Sequence, residues 1–290
     1  MKKGLALLLT AVLAMGCLMT GCGSSAKETA ANDTEGETAS TAETAGTEAA
    51  AGEDRTTFIV GFDASFPPYG YQENGEYVGF DLDLAQEVCD RNGWELVKTP
   101  IDWDAKDMEL NSGAIDCIWN GFTINGREDD YTWTEPYINN TQVFAVNKDS
   151  GIASAADLAG KSVLVQADSS ALAALQDEEN ADIKALADSF GSLTEVQDYE
   201  TALMELEAGS ADAVAMDEGV ALAKQAKNDK IVILEDIISQ EQYGIGFKKG
   251  NDALRDQVWA TLLEMEADGT VDKIAAKYPS INVDNICIGQ

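Results

Sequence analysis

The sequence predicts an α/β protein built from two similar domains, and three observations predict it. The chain has 290 residues, more than a single core usually serves. From Thr57 onward, apolar runs of strand character alternate with helical stretches. The phrase MELNSGAIDCIWNG, beginning at Met108, returns as MELEAGSADAVAMDE at Met204. A helix, a glycine turn and a strand, used once per domain, account for that repetition.

Taken in order, FIVGF from Phe58 reads as a strand and DASFPPYGYQENGEY as a turn-rich loop. LDLAQEVCDRNG puts Leu84, Val88 and Cys89 on one helical face, with Gly93 as its stop. WELVKTPID is the next strand, followed by a short helix through Met108 and a strand at IDCIWN. These make a βαβαβ unit and hence a mainly parallel sheet. In the second copy, DYETALMELEAGS is helical, with Ala202 and Leu206 stacked four apart, and ADAVAM is a strand ending at Asp217. KSVLVQ supplies a further strand, and DSSALAAL opens a helix with a Ser/Asp cluster suited to its N-cap. The tail DALRDQVWATLLEMEADGTVDKIAAKY is helical twice over, interrupted at Asp268 and Gly269. Ligands of open parallel sheets bind beyond the carboxyl ends of strands. Asn120 and Asp217 stand at two such ends, so two facing sheets would line one cleft.

Composition excludes several function classes. Lys and Arg total 19 against 52 Asp and Glu, a formal net charge of −33, which repels phosphate backbones and argues against nucleic acid. The chain has no histidine, which removes the commonest general base and zinc ligand and leaves catalysis to carboxylates. Cys89, Cys117 and Cys287 are too widely spaced for a metal-ligand pattern, and Cys89 and Cys117 read as buried free thiols. AGKSV at Ala159 ends like a phosphate-binding loop but has Ala155 where that loop needs glycine. No metal and no cofactor are expected.

The first 22 residues read as an export signal, with Lys2 and Lys3 ahead of an apolar run from Leu5 to Leu18. Its end, LMTGC, resembles the lipobox of bacterial lipoproteins, with Met19 where Leu is usual, and AMGC ending at Cys17 is a weaker competing match. The lipobox implies a diacylglyceryl thioether on Cys22, and two acyl chains suffice for stable anchoring to a cell membrane. Residues 23–53, almost all Gly, Ala, Ser, Thr and Glu, read as an acidic disordered tether.

GFDLDLAQEVCDRNG from Gly79, NGFTINGRED from Asn120, TWTEPY from Thr132, and YGIGFKKGNDALRDQV with a later ADGT occur in one order along the chain. This set resembles the family 3 solute-binding proteins of bacterial ABC importers for polar amino acids, from about Thr57 to Pro279. The resemblance implies a periplasmic-binding-protein-like fold of two lobes closing on one ligand by hinge motion. Domain 1 would be 54–143 and 243–290, domain 2 would be 144–242, and two extended crossings would form the hinge. It further implies an extracytoplasmic, non-enzymatic monomer that captures an L-amino acid and delivers it to the transmembrane subunits of an ABC permease.

Site residues follow position by position from the resemblance. Arg127, placed by counting back from Pro136 because the TINGR loop is one residue shorter than usual, would clamp the ligand carboxylate. Gly121 and Thr123 would assist it, with Ser169 and Ser170 at a helix start. Asp217 occupies the ammonium-binding place. Phe66 and Trp103 would flank the aliphatic part, and the acids beside Trp103 make it an unlikely core residue. Asp63 and Gln166 suggest a polar or neutral side chain, with Met216 as an apolar wall. An alternative implied by the same fold is a dehydratase using a carboxylate as proton donor on a prephenate- or arogenate-like acid.

Overall fold

A computed structural model describes residues 55–290. The signal, the tether and Cys22 lie outside the described residues. In chain order the elements are β1 (Thr57–Phe62), β2 (Ser65–Phe66), β3 (Gly70–Glu73), β4 (Glu76–Val78), α1 (Phe80–Asn92), β5 (Glu95–Pro100), α2 (Lys106–Ser112) and β6 (Cys117–Thr123). Next come β7 (Thr132–Trp133), β8 (Ile138–Asn147), β9 (Ser162–Gln166), α3 (Ser170–Gln176), α4 (Ala181–Asp188), β10 (Ser192–Val196) and α5 (Tyr199–Ala208). The chain continues through β11 (Ala213–Asp217), α6 (Glu218–Gln225), β12 (Ile231–Phe247), α7 (Asp252–Ala267) and α8 (Thr270–Ala275).

The main sheet runs β10-β9-β11-β8-β12-β6-β1-β5, with β7 paired to β12. Its two ends share one plan. In β5-β1-β6 and in β10-β9-β11 the first strand of the unit is central, the second outermost and the third innermost, all parallel. Helices connect the parallel strands, as the geometry of parallel pairing requires. Between the two units, β8 and β12 run antiparallel to each other and to the inner strands β11 and β6. The two parallel units expected from the sequence are present, and the crossing strands, which also pair with each other, join them edge to edge.

The repeated phrase is α2 to β6 in one unit and α5 to β11 in the other. Each helix ends at a glycine in the left-handed region, Gly113 at φ 79° and Gly209 at φ 74°. A side chain there would crowd its own backbone, which is why both copies keep glycine at the turn. The cores follow the units. Phe144, Val163, Val165, Leu172 and Leu175 pack together in the second unit, and Trp103, Leu110, Ile115, Ile118 and Phe122 in the first. A third and larger cluster joins the two units, with Phe58, Phe66, Val214, Met216 and Tyr199 among its members.

Three local readings differ from the structure. The segment after β1 forms a small antiparallel sheet, β2-β3-β4, rather than an open loop. Asn120 does not end its strand, because β6 continues through buried positions to Thr123. Trp103 is buried despite its acidic neighbours, with its ring edge-on to Phe122 at 5.3 Å while Asp102 and Asp104 turn outward. The tail helices break at Asp268 and Gly269 as the sequence indicates.

Replacing Gly113 or Gly209 with Ala is expected to cost about 1 kcal/mol each, the usual penalty for a left-handed L-residue, and the distant pair should add. Urea denaturation of both single variants and the double variant measures this.

Candidate functional site

The site is built where the two parallel units face each other across β8 and β12. From the first unit, Asp63 follows β1 and Trp103 follows β5; from the second, Gln166 ends β9 and Asp217 ends β11. These strand ends bring the predicted residues toward one region. Gln166 Nε2 donates to Asp63 Oδ2 at 2.7 Å, linking the units directly, and both side chains are buried. Burial pushes the Asp63 carboxyl above its ordinary value; the N–H of Ser65 and the Gln166 amide offset part of that rise, and Asp198 and Asp102 add to it. Phe66 stacks on Tyr199 of the second unit with ring centroids 5.8 Å apart.

Two grooves border this region. One, of about 370 Å³, is lined by Asp63, Asp102, Trp103, Glu109 and Asp198 together with Gln197. Its described lining residues include four carboxylates and no Lys or Arg. Gln197 Nε2 donates to Asp102 Oδ1 at 2.8 Å across the units. The other groove, of about 650 Å³, carries Thr123, Arg127, Asp168, Ser169, Ser170 and Glu241. Phe66, Gly121, Gln166 and Asp217 line neither groove and lie behind their walls.

Arg127 donates through Nη2 to the backbone carbonyl of Asp168 at 3.0 Å, and its guanidinium lies 5.4 Å from the Phe122 ring centre. Lys106, only 1% exposed, forms an ion pair with the Asp168 carboxylate and rests 5.4 Å from the Trp103 ring centre. Asp168 holds a left-handed backbone at φ 54°, a conformation Asp tolerates better than most residues, so two cations of the first unit converge on one residue of the second. Ser169 caps α3 by accepting from the N–H of Leu172 at 3.2 Å, and Ser170 Oγ accepts from Gln142 Nε2 at 2.9 Å. Gly121 sits at φ 58° against Phe66 and Tyr243, where a Cβ would lie 2.8 Å from the Phe66 ring. Its N–H donates to Asp81 Oδ2 at 2.8 Å, so that backbone donor is engaged by the protein itself.

Asp217 is the most heavily bonded of the predicted residues. It accepts from Asn140 at 2.9 Å, Gln142 at 2.6 Å, Tyr199 at 2.8 Å and from the Tyr243 hydroxyl. The same two amides donate to Glu241 Oε1, at 2.7 Å from Asn140 and 2.8 Å from Gln142. Burial raises the Asp217 carboxyl, Glu241 raises it further, and the phenol and amide donors offset only part of this. Met216, the neighbouring residue, is fully buried. Sequence reasoning missed Glu241, Asn140, Gln142, Lys106 and Asp168. A signal existed for three of them: Asn140 and Gln142 on β8, like Glu241 and Tyr243 on β12, alternate at the strand period and so share a face.

The model of the bacterial extracellular solute-binding proteins, family 3, matches residues 58–280. The chain belongs to this family. Among its curated relatives, the L-cystine-binding protein of Escherichia coli K12 is 29% identical over 231 residues, covering 78% of this chain and 83% of the relative. The arginine-binding extracellular protein of Bacillus subtilis is 28% identical over 283 residues, covering 96% and 98%. Among solved structures, a Streptococcus pneumoniae ABC uptake transporter substrate-binding protein with bound histidine matches at TM-score 0.73 and 29% identity, covering 78% of this chain and 94% of that one. An ancestral arginine-binding protein bound to arginine matches at TM-score 0.68 and 37% identity, covering 78% and 99%. Like these solute-binding proteins the chain is mixed α/β, with two parallel units of sheet joined by antiparallel strands and flanked by helices. Among the described residues no helix is long and apolar enough to cross a membrane, and no group of His, Cys, Asp and Glu could hold a metal.

Asp81 is fully buried and bonded to Gly121 and to the Tyr137 hydroxyl at 2.7 Å, and burial raises its carboxyl to about 7 from an ordinary 3.8. A raised folded-state value gives stability that is complete below the unfolded value and is lost as pH climbs through the folded one. Thermal melts of the unliganded protein should therefore fall between about pH 4 and 7, and Asp81→Asn should flatten that slope.

Proposed function

We propose that the chain captures an α-amino acid with a positively charged side chain between two lobes and hands it to the transmembrane subunits of an ABC importer. The observation that carries the side-chain assignment is the groove whose described lining has four carboxylates and no base, with Trp103 on its wall. A guanidinium or ammonium gains there both from the acids and from the aromatic face. This revises the polar or neutral side chain expected from Asp63 and Gln166 alone. The named relatives and neighbours that bind arginine and histidine support it.

In this reading Arg127 clamps the ligand carboxylate with Thr123, Ser169 and Ser170 around it, exchanging the Asp168 carbonyl for the ligand. Asp217 receives the α-ammonium. Asp63, Gln166, Phe66 and Trp103 hold the side chain, and Gly121 shapes the floor beneath Phe66. The lobes are residues 54–143 with 243–290 and residues 144–242, swinging on β8 and β12. Binding is the whole task, with no covalent step. The relatives described above are binding proteins, which leaves the dehydratase reading without support. Export, a diacylglyceryl anchor on Cys22 and the tether over 23–53 would hold a monomer outside the cell membrane.

A thermal-shift panel of the twenty amino acids, ornithine and cystine tests the ligand class. Arginine, lysine or ornithine should raise the melting temperature, by an amount equivalent to about 2.7 kcal/mol at a hundredfold excess over Kd, while glutamate should leave it unmoved. A response confined to neutral or acidic amino acids would refute the cationic side chain. Arg127→Ala should then weaken the responding ligand by at least about a hundredfold in calorimetry, because it leaves a buried carboxylate unpaired. Unchanged affinity would remove Arg127 from the site.

A further inference from the structure

Asp217 and Glu241 are 4% and 6% exposed, and the same two amide groups, those of Asn140 and Gln142, donate to one oxygen of each. Among the described residues every donor to the pair is neutral: two amides and the hydroxyls of Tyr199 and Tyr243. Two ionised carboxylates in such a place repel one another and lack a counter-charge, so the state of lowest cost keeps one proton between them. A third acceptor stands beside them. Gln142 is fully buried, its Nε2 donates to the two carboxylates and to Ser170 Oγ, and its Oε1 has no partner. The amide carbon holds that orphan oxygen next to Nε2, so two carboxylates joined only to neutral donors and one unpartnered carbonyl oxygen gather without a counter-charge. An ammonium group supplies that charge and a donor for the orphan oxygen.

We propose that Asp217 and Glu241 form one proton-sharing ammonium site, so that capture of the ligand's α-ammonium expels a proton. The inference rests on the amino-acid-binding reading and adds Glu241, with Gln142 as its third acceptor. The exchange balances: a neutral carboxyl and a carboxylate become two carboxylates around one ammonium, and one proton passes to solvent. Glu241 gives that proton a way out, since it lines both the Arg127 groove and a further groove carrying Asn125, Asn139 and Asn285.

Of the surrounding groups, Asp81, raised by burial to about 7, titrates in the same range and is common to wild type and Glu241→Gln. Tyr69, Tyr199 and Tyr243 are phenols that burial pushes well above their ordinary value. Glu218 at the start of α6 and Asp81 below Gly121 are further acids, and both act on Tyr69 together with the pair. The nearby cations, Arg127 and Lys106, are both held by Asp168. The chain has no histidine to titrate in the same range.

Two measurements test the proposal. Infrared difference spectra of the unliganded protein, wild type minus Glu241→Gln, should show a protonated-carboxyl band near neutral pH that vanishes on addition of L-arginine. Absence of that band would overturn the proposal whether or not any amino acid binds. Calorimetry with L-arginine in phosphate and in Tris should then report net proton release from wild type, with affinity falling about tenfold per pH unit on the acid side of the transition. In Glu241→Gln the release should disappear and the affinity become flat with pH. Equal proton release from both proteins would refute the role of Glu241 while leaving amino-acid capture intact. Failure of every amino acid to bind would strike the functional reading instead, and the band would still judge the shared proton.

Discussion

The structure depends on the antiparallel pairing of β8 with β12. These two strands seal the gap between two parallel units, and their inward faces carry the polar residues around Asp217. Glu241 opposes Asn140 across the ladder, and Ser239 opposes Gln142. Because side chains alternate along a strand, a shift of one residue in that register would turn Asn140, Gln142, Glu241 and Tyr243 away from the site together. The same ladder that joins the units thus fixes the geometry of the carboxylate pair. Any motion of one unit against the other would have to bend these strands, which also carry the polar cluster.

Much of the plan was legible because it rests on periodicity and on glycine. Strands β1, β5, β6, β9 and β11 and helices α1, α3, α5, α7 and α8 follow from apolar spacing and stop signals. The repeated phrase showed the two units, since Gly113 and Gly209 mark the same turn in each. What stayed hidden depends on partners distant in sequence. Lys106, at the start of α2, is buried where Asp168, from the other unit, offers it a carboxylate, and no local pattern marks it. Trp103 reads as exposed between two acids, but its ring finds Phe122 and its neighbours turn outward. The β2-β3-β4 ribbon looked like loop because strands of two to four residues give almost no alternation to detect.

The candidate site divides in the same way. Asp63, Arg127, Gln166 and Asp217 were named from the sequence, and the structure brings them to the facing ends of the two units. The residues that tune them were not named. Asp81 occupies the N–H of Gly121, Glu241 sets the charge beside Asp217, and Asp168 receives both Arg127 and Lys106. Each acts through a hydrogen bond or a Coulomb term formed only on folding, and no spacing rule encodes that.

Charge bias changes what each of these residues can tell. With 52 acids against 19 bases, a carboxylate near any given point carries little information, because the composition alone would place one there. A base in the cleft is another matter. Lys106 and Arg127 both reach across to the residue that precedes Ser169, in a protein whose surface field attracts cations and repels carboxylates. A zwitterion with a basic side chain suits that field, since its net positive charge is drawn toward the acidic groove while its carboxylate requires a local exception. On the proposed reading Arg127 would be that exception, and the Lys106 ion pair with Asp168 would leave the guanidinium free of that carboxylate. The few bases are therefore the more informative residues, and on the proposed reading they would orient the ligand.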